Sequence, residues 1–165
     1  MYISLDYYQS LYGEIPEADF KNLSWEACRK LDVLTTGVDG VRKLKVAFPT
    51  DEEDAESVKR CACAVLNMLY QLKQAEDTAK TASGFIETAN GLQGKIISSV
   101  SAGNESISYA TGSTFDTLYS QAASDKTVQD QLLSDTIHEY LSGIPDANGV
   151  NLLYMGPYPC RLEKQ

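Results

Sequence analysis

The sequence contains few of the side chains that bind metals or act as nucleophiles. His138 is the single histidine, and the four cysteines lie at positions 28, 61, 63 and 160. Cys61 and Cys63 are two residues apart, which is about 200° around a helix, so their thiols cannot face one metal ion together. Zinc sites usually use CxxC pairs or several histidines. We therefore expect no metal site and no cofactor, and we interpret Cys28 and Cys61 as buried thiols.

Long apolar runs and a basic N-terminus are also missing. No stretch approaches the roughly 18 to 20 consecutive apolar residues of a membrane span. The first ten residues, MYISLDYYQS, contain an acid but no lysine or arginine, whereas a secretory signal begins with basic residues. These absences predict a protein that stays in a reducing cytoplasm and has no membrane partner.

Positive charge is scarce. The chain has 14 Lys and Arg against 23 Asp and Glu, which gives a formal net charge of −9. Such a protein has no basic surface with which to wrap a phosphate backbone, and this argues against a DNA-binding regulator. The charge is compatible with a protein past which DNA slides, because like charges prevent sticking.

Motifs for catalysis are absent as well. Gly37 and Gly40 lack the following Lys-Ser/Thr and the preceding strand of a phosphate-binding loop, and no GxSxG occurs. The acids at 51–56 lack the spacing of a calcium loop, and we interpret them as complements of a helix dipole. No Cys, Ser or carboxylate constellation accompanies His138, which we interpret as a partly buried structural residue. We expect no enzymatic activity.

The apolar residues that are present repeat with helical spacing. The longest such stretch predicts a central helix over 51–72 that continues towards Ala82, with Asp51 as its N-cap. The fold class is therefore mainly α, a small bundle of three to four helices. The other predicted helices are a short aromatic one closed by Gly13, one that follows Pro16 and ends near Thr35–Gly37, and a last one over 125–141.

A basic cluster lies in the connection between the second helix and the central helix. We interpret Arg42, Lys43 and Lys45 as part of a solvated loop, where local charge runs usually occur. The alternative is an interfacial patch that meets an acidic neighbour. Trp25 lies off the apolar stripe of the second helix and faces a neighbour or an edge.

The composition changes after residue 83 to one rich in Ser, Thr, Gly and Asn. Two β-like runs flank Ala102-Gly103-Asn104 and predict a short β-hairpin inserted within about 84–117. An isolated ribbon of two strands is marginal in water, so it needs its own helices or another chain as a partner. The hypothetical subunit interface combines residues of this ribbon and of the central helix: Val100, Ile107, Tyr109, Leu66 and Tyr70.

A turn-rich link and a short apolar run follow the last helix. We expect this extended C-terminal tail, residues 144–165, to leave the helical body through the link and to reach a neighbour. The residues expected to dock on a partner belong to the apolar run and to the basic cluster: Leu152, Leu153, Tyr154, Met155, Arg42, Lys43 and Lys45.

The order of these parts resembles that of a known family. An aromatic N-terminus ending in LYG precedes a Leu-rich helix and the acidic-capped helix with VKRCACAVLNMLYQL, and SVSAGNESISYA precedes EYLSG and LLYMG. The most specific pieces are Val100–Tyr109 and the pairing of Tyr140–Gly143 with Leu152–Gly156. Over nearly its whole length the chain resembles the head–tail connector (adaptor or head-completion) proteins of long-tailed phages and prophages of low-GC Gram-positive bacteria.

The resemblance implies one mainly α-helical domain over residues 1–165 that works as a structural virion protein. Such subunits form a ring of about a dozen copies under the portal protein. The ring extends the DNA channel, lets DNA pass without sequence-specific binding, and presents a platform to the next head-completion or tail protein. The expected locations are the host bacterial cytoplasm during assembly and the head–tail junction of the virion.

Two other functions stay open at this point. A small cytoplasmic protein-binding adaptor module of bacterial origin would use its surfaces to recruit one partner. A metal-dependent hydrolase would use the acids at 51–56, although no site geometry in the sequence supports it.

Overall fold

The structure is a computed structural model and describes residues 1–88, 91–96, 99–102, 105–108, 122 and 125–158. The protein is mainly α-helical, as the sequence predicts. The helices given bounds among the described residues are α1 (Leu5–Tyr12), α2 (Glu17–Leu34), α3 (Lys43–Val46), α4 (Glu52–Ala82) and α5 (Lys126–Leu141). The chain divides into two compact units, one formed by Met1–Tyr70 with Asp130–Gln165 and the other by Gln71–Gln129.

Side-chain capping groups lie at the starts of α1 and α4. The Oγ of Ser4 accepts a hydrogen bond from the backbone N–H of Tyr7 at the start of α1. The carboxylate of Asp51 accepts from the backbone N–H groups of Glu53 and Asp54, at 3.0 and 3.2 Å, at the start of α4. These side chains satisfy N–H groups that have no partner within the helix. The predicted N-cap at Asp51 is confirmed.

The helices of the first unit enclose a single core. The Tyr8 ring of α1 packs on the Phe20 ring of α2, with 6.1 Å between centroids, and the Tyr8 hydroxyl donates to Asn67 of α4 at 3.2 Å. The Thr136 hydroxyl of α5 donates to the Met68 sulfur of α4 at 3.4 Å. Fully buried side chains of this core include Ala27, Leu31, Val58, Cys61, Val65, Leu66, Ile137 and Leu141.

His138 does not contribute to this core. Leu133, Ile137 and Leu141 are buried and lie at steps of four along α5, so they form its inward line. The next residue after Ile137 is turned by about 100° from that line, and His138 is exposed. Its Nδ1 lies 2.8 Å from the backbone carbonyl oxygen of Ser134. The interpretation of His138 as partly buried is therefore wrong.

Four short strands lie in the part of the second unit that the structure describes. Strand β1 (Ser83–Thr88) pairs antiparallel with β2 (Gly91–Ile96), with Ser83 opposite Ile96. Strand β3 (Ser99–Ala102) pairs antiparallel with β4 (Glu105–Ser108), with Val100 opposite Ile107. Residues 103–104, where the sequence predicts the turn of a hairpin, and Tyr109 lie outside the described residues.

Candidate interaction site

The segment after α5 folds back onto the connection between α2 and α4. The backbone N–H of Val38 donates to the carbonyl oxygen of Met155 at 3.1 Å, and that of Ala147 donates to Ala47 at 3.2 Å. Residues 144–158 thus pack on their own subunit. The expectation that the tail leaves the helical body is corrected for this segment, because its backbone is hydrogen-bonded to the α2–α4 connection.

Lys43 holds this segment from inside the protein. Its side chain is fully buried, and its Nζ donates to the carbonyl oxygen of Leu152 at 2.9 Å and to that of Tyr154. Burial lowers the pKa of the Lys43 ammonium, whereas the carboxylates of Asp146 and Asp39 act to raise it. Lys43 is therefore a clamp between α3 and the tail rather than a residue of a solvated loop.

Asp146 closes the turn that directs the tail towards Lys43. Its Oδ1 accepts hydrogen bonds from the backbone N–H groups of Asn148 at 2.8 Å and Val150 at 2.9 Å. Its Oδ2 accepts from the Tyr158 hydroxyl. An aspartate that binds backbone groups of the following residues stabilises a tight turn. The turn brings Leu152 into the core, where it has no exposed surface.

Asp39 fastens the end of the described tail. Its Oδ2 accepts from the backbone N–H of Tyr158 at 2.7 Å, and its Oδ1 accepts from that of Val41 at 3.2 Å. The Tyr158 hydrogen bond is the main cause that lowers the pKa of the Asp39 carboxyl group. The charged form of Asp39 is thus the form that holds the tail.

We expect the contribution of Asp39 to the free energy of unfolding to depend on pH. Its folded pKa lies below the unfolded value of about 3.9, so the contribution is complete above that value and is lost as the pH falls through the folded pKa. Urea titrations should therefore separate wild type from D39A at pH 7 and bring them together in acid. D39N, which keeps a neutral acceptor, should fall between them at pH 7. A difference of the same size at every pH would contradict the role of the charge.

The residues expected to dock on a partner fall into two groups. Leu152 and Lys43 have no exposed surface and contact their own subunit, so they are assigned to the core. Leu153 is half-buried, and the remaining four are exposed: Tyr154, Met155, Arg42 and Lys45. The exposed four remain candidates for contact with another protein.

The residues expected at the subunit interface divide in a similar way. Leu66 has no exposed surface in α4, and a side chain in this position holds the core rather than a neighbouring copy. Tyr70 is half-buried. Val100 and Ile107 lie opposite each other in β3 and β4. Tyr109 lies outside the described residues.

An exposed apolar stripe runs along α2. Trp25 is 65% exposed and Val33 is 60% exposed, and Arg29 lies halfway between them. Steps of four residues place all three on one face of the helix. The guanidinium carbon of Arg29 lies 5.6 Å from the centroid of the Trp25 ring, which is a cation–π contact. We call the stripe of Trp25, Arg29 and Val33 the Trp25 face, and the predicted position of Trp25 off the buried stripe is confirmed.

A groove lies on each side of the Trp25 face. The larger one, of about 600 Å³, lies between α2 and α5 and is mainly apolar. An ion pair of 3.1 Å between Lys30 and Asp130 joins the two helices there. The smaller groove, of about 320 Å³, is lined in part by Met1, Tyr2, Arg42 and Lys45. Exposed Trp and Arg beside concave surface are typical of the energetic centres of protein interfaces.

The described residues include side chains of the kinds that can hold a metal ion, as well as cysteine thiols. Among the side chains that the structure describes, no three His, Cys, Asp or Glu residues gather as a metal site. Burial raises the pKa of the thiols of Cys61 and Cys63 to about 12, so both stay protonated and are poor nucleophiles at neutral pH. Cys28 and Cys61 are buried, which confirms the interpretation made from the sequence.

None of the helices in the described part of the chain is both apolar enough and long enough to cross a bilayer.

Comparisons of the chain with models of protein families, with curated proteins and with solved structures found no match.

Proposed function

We propose that this chain is a structural subunit of a head–tail connector ring, which joins the portal of a phage head to the tail and extends the DNA channel. The observation that carries the proposal is the Trp25 face, an exposed stripe between two grooves on a mainly helical subunit. Such a surface suits binding to another protein better than chemistry on a small substrate. The sequence resemblance to connector proteins supports the same function.

The charge of the chain fits a DNA conduit. A formal net charge of −9 repels the phosphate backbone, so DNA passes the ring without being retained. The subunit would then act by geometry, through an interface that repeats around a closed ring. Assembly takes place in the host bacterial cytoplasm, and the finished ring lies at the head–tail junction of the virion.

The remaining candidate contacts have separate roles in this ring. The pair of strands β3 and β4 adds to the contact between copies, because strand edges readily pair with another chain. Val100, Ile107 and Tyr109 are the residues proposed for that contact. Tyr70 of α4 is a separate candidate for contact with another copy. Three exposed residues near the tail face the portal or the next head-completion or tail protein: Lys45, Tyr154 and Met155. Arg42, the other exposed candidate, lines the smaller groove beside the Trp25 face.

The test uses the purified full chain, alone and mixed with the portal protein of the same phage or prophage. Light scattering and negative-stain electron microscopy should show closed rings, either free or formed on the portal. A chain that stays monomeric at every concentration and ionic strength, and that does not bind the portal, would overturn the proposal. A stable complex with one unrelated cytoplasmic protein instead would favour the adaptor module.

A further inference from the structure

The Trp25 face is basic as well as apolar. Arg29 on the face and Arg42 in the adjacent groove are exposed, and neither forms an ion pair among the described residues. Lys45 in the same groove is neutralised by Asp32 at 3.1 Å. On a chain with a net charge of −9, two unpaired guanidinium groups beside an exposed indole form a local positive surface. A positive surface of this kind is complementary to an acidic surface.

The same unit carries an acidic depression at the start of α4. The depression has a volume of about 530 Å³ and is lined by Thr50, Asp51, Glu52, Glu53, Ala55, Glu56 and Lys59. Glu52 and Glu53 are exposed and form no ion pair among the described residues. We call this surface the acidic depression. It shares no residue with the Trp25 face or with either of its grooves.

We infer that the Trp25 face of one copy binds the acidic depression of a second copy. The inference rests on the proposed function and names the surfaces that join the subunits. The indole of Trp25 supplies a protruding apolar group, and Arg29 and Arg42 face Glu52 and Glu53 across the contact. A buried aromatic side chain ringed by complementary charges is the usual centre of a protein interface.

The proposed contact joins two different surfaces. Because the Trp25 face and the acidic depression share no residues, one copy can bind one neighbour through each of them. Such heterologous contacts generate a closed ring or an open filament, whereas a contact between identical surfaces stops at a dimer. The acidic depression thus provides the complement that a ring requires.

Charge reversal tests the pairing of the two surfaces. In sedimentation velocity at low salt, R29E/R42E and E52K/E53K should each weaken self-association by at least about tenfold. An equimolar mixture of the two variants should associate again, because each supplies the charge that the other has lost. W25A should weaken association by a similar factor. Mixing W25A with either charge variant should not restore binding through the W25A face, because the other copy cannot supply the missing indole. K126E, an exposed charge reversal outside both surfaces, serves as the control and should associate like wild type.

The outcomes test the proposed interface separately from the proposed connector function. Circular dichroism establishes that every variant is folded before association is measured. If wild type forms rings only on the portal, the copies bound per portal are counted for the same variants, with the same expected order. Rings that form equally well with all variants overturn the inference but leave the proposed function intact. A wild-type chain that associates neither alone nor on the portal overturns both.

Discussion

Replacing Lys43 by methionine should lower the free energy of unfolding by about 2–4 kcal/mol. The substitution keeps the length of the buried stem but removes the ammonium that donates to the carbonyl oxygens of Leu152 and Tyr154. The buried carbonyl of Leu152 left without a donor costs about 1–3 kcal/mol, and the partly buried carbonyl of Tyr154 adds a smaller cost. Relief from burying a charge offsets part of this loss, because burial already lowers the pKa of Lys43. Urea unfolding at pH 7 measures the difference.

Arg42 provides the matched control for Lys43. It is the preceding residue and also basic, but it is exposed and forms no ion pair within the described part of the chain. R42M should therefore change the free energy of unfolding by less than about 0.5 kcal/mol. Limited proteolysis should cut K43M within 144–158 while wild type and R42M resist. A K43M protein as stable and as resistant as wild type would contradict the clamp.

The role of Lys43 was not predictable from its neighbours in the sequence. Three basic residues within four positions indicate a solvated loop. Arg42 and Lys45 are exposed, but Lys45 lies in the short helix α3, so the loop prediction is wrong for Lys45 as well as for Lys43. Lys43 differs because its partners are backbone carbonyls 109 and 111 residues later in the chain. Backbone acceptors leave no trace in side-chain patterns. A fold that returns the tail to α3 was needed to bring them together.

The sequence predicts an extended tail that leaves the helical body, and this prediction fails for a related reason. A turn-rich link before an apolar run suits both a flexible arm and a short loop that returns to the core. The structure has the loop, in which the Asp146 side chain accepts from the N–H groups of Asn148 and Val150. An Asp followed by Asn-Gly is the available signal for such a turn. The destination of Leu152, by contrast, depends on the apolar space left between the helices.

The helices themselves could be predicted because their signals are local. Apolar spacing and the carboxylate of Asp51 are sufficient to place α4 from near residue 52 to Ala82. The exposure of Trp25 follows from its position off the apolar stripe of α2. The larger groove beside Trp25 could not be predicted, because one wall comes from α5, about 100 residues later, and packing between the helices sets their spacing.

Replacing Leu66 by alanine should lower the free energy of unfolding of the isolated subunit by about 2–5 kcal/mol. Leu66 has no exposed surface, so the truncation removes buried methyl groups and leaves a cavity among close-packed helices. From the sequence alone, its place on the wide apolar face of α4 also suited an interface between copies. The two positions predict different results, because an interface residue affects assembly while leaving the stability of the free subunit almost unchanged.

Val33 supplies the comparison for Leu66. It is also apolar and helical, but it is 60% exposed on the Trp25 face. V33A should change the free energy of unfolding by less than about 0.5 kcal/mol while it weakens association between copies. Urea titration of dilute, monomeric protein and sedimentation velocity at high concentration separate the two effects. If L66A unfolds like wild type but fails to assemble, Leu66 belongs to the interface between copies. The core of the first unit would then be stable without the Leu66 side chain.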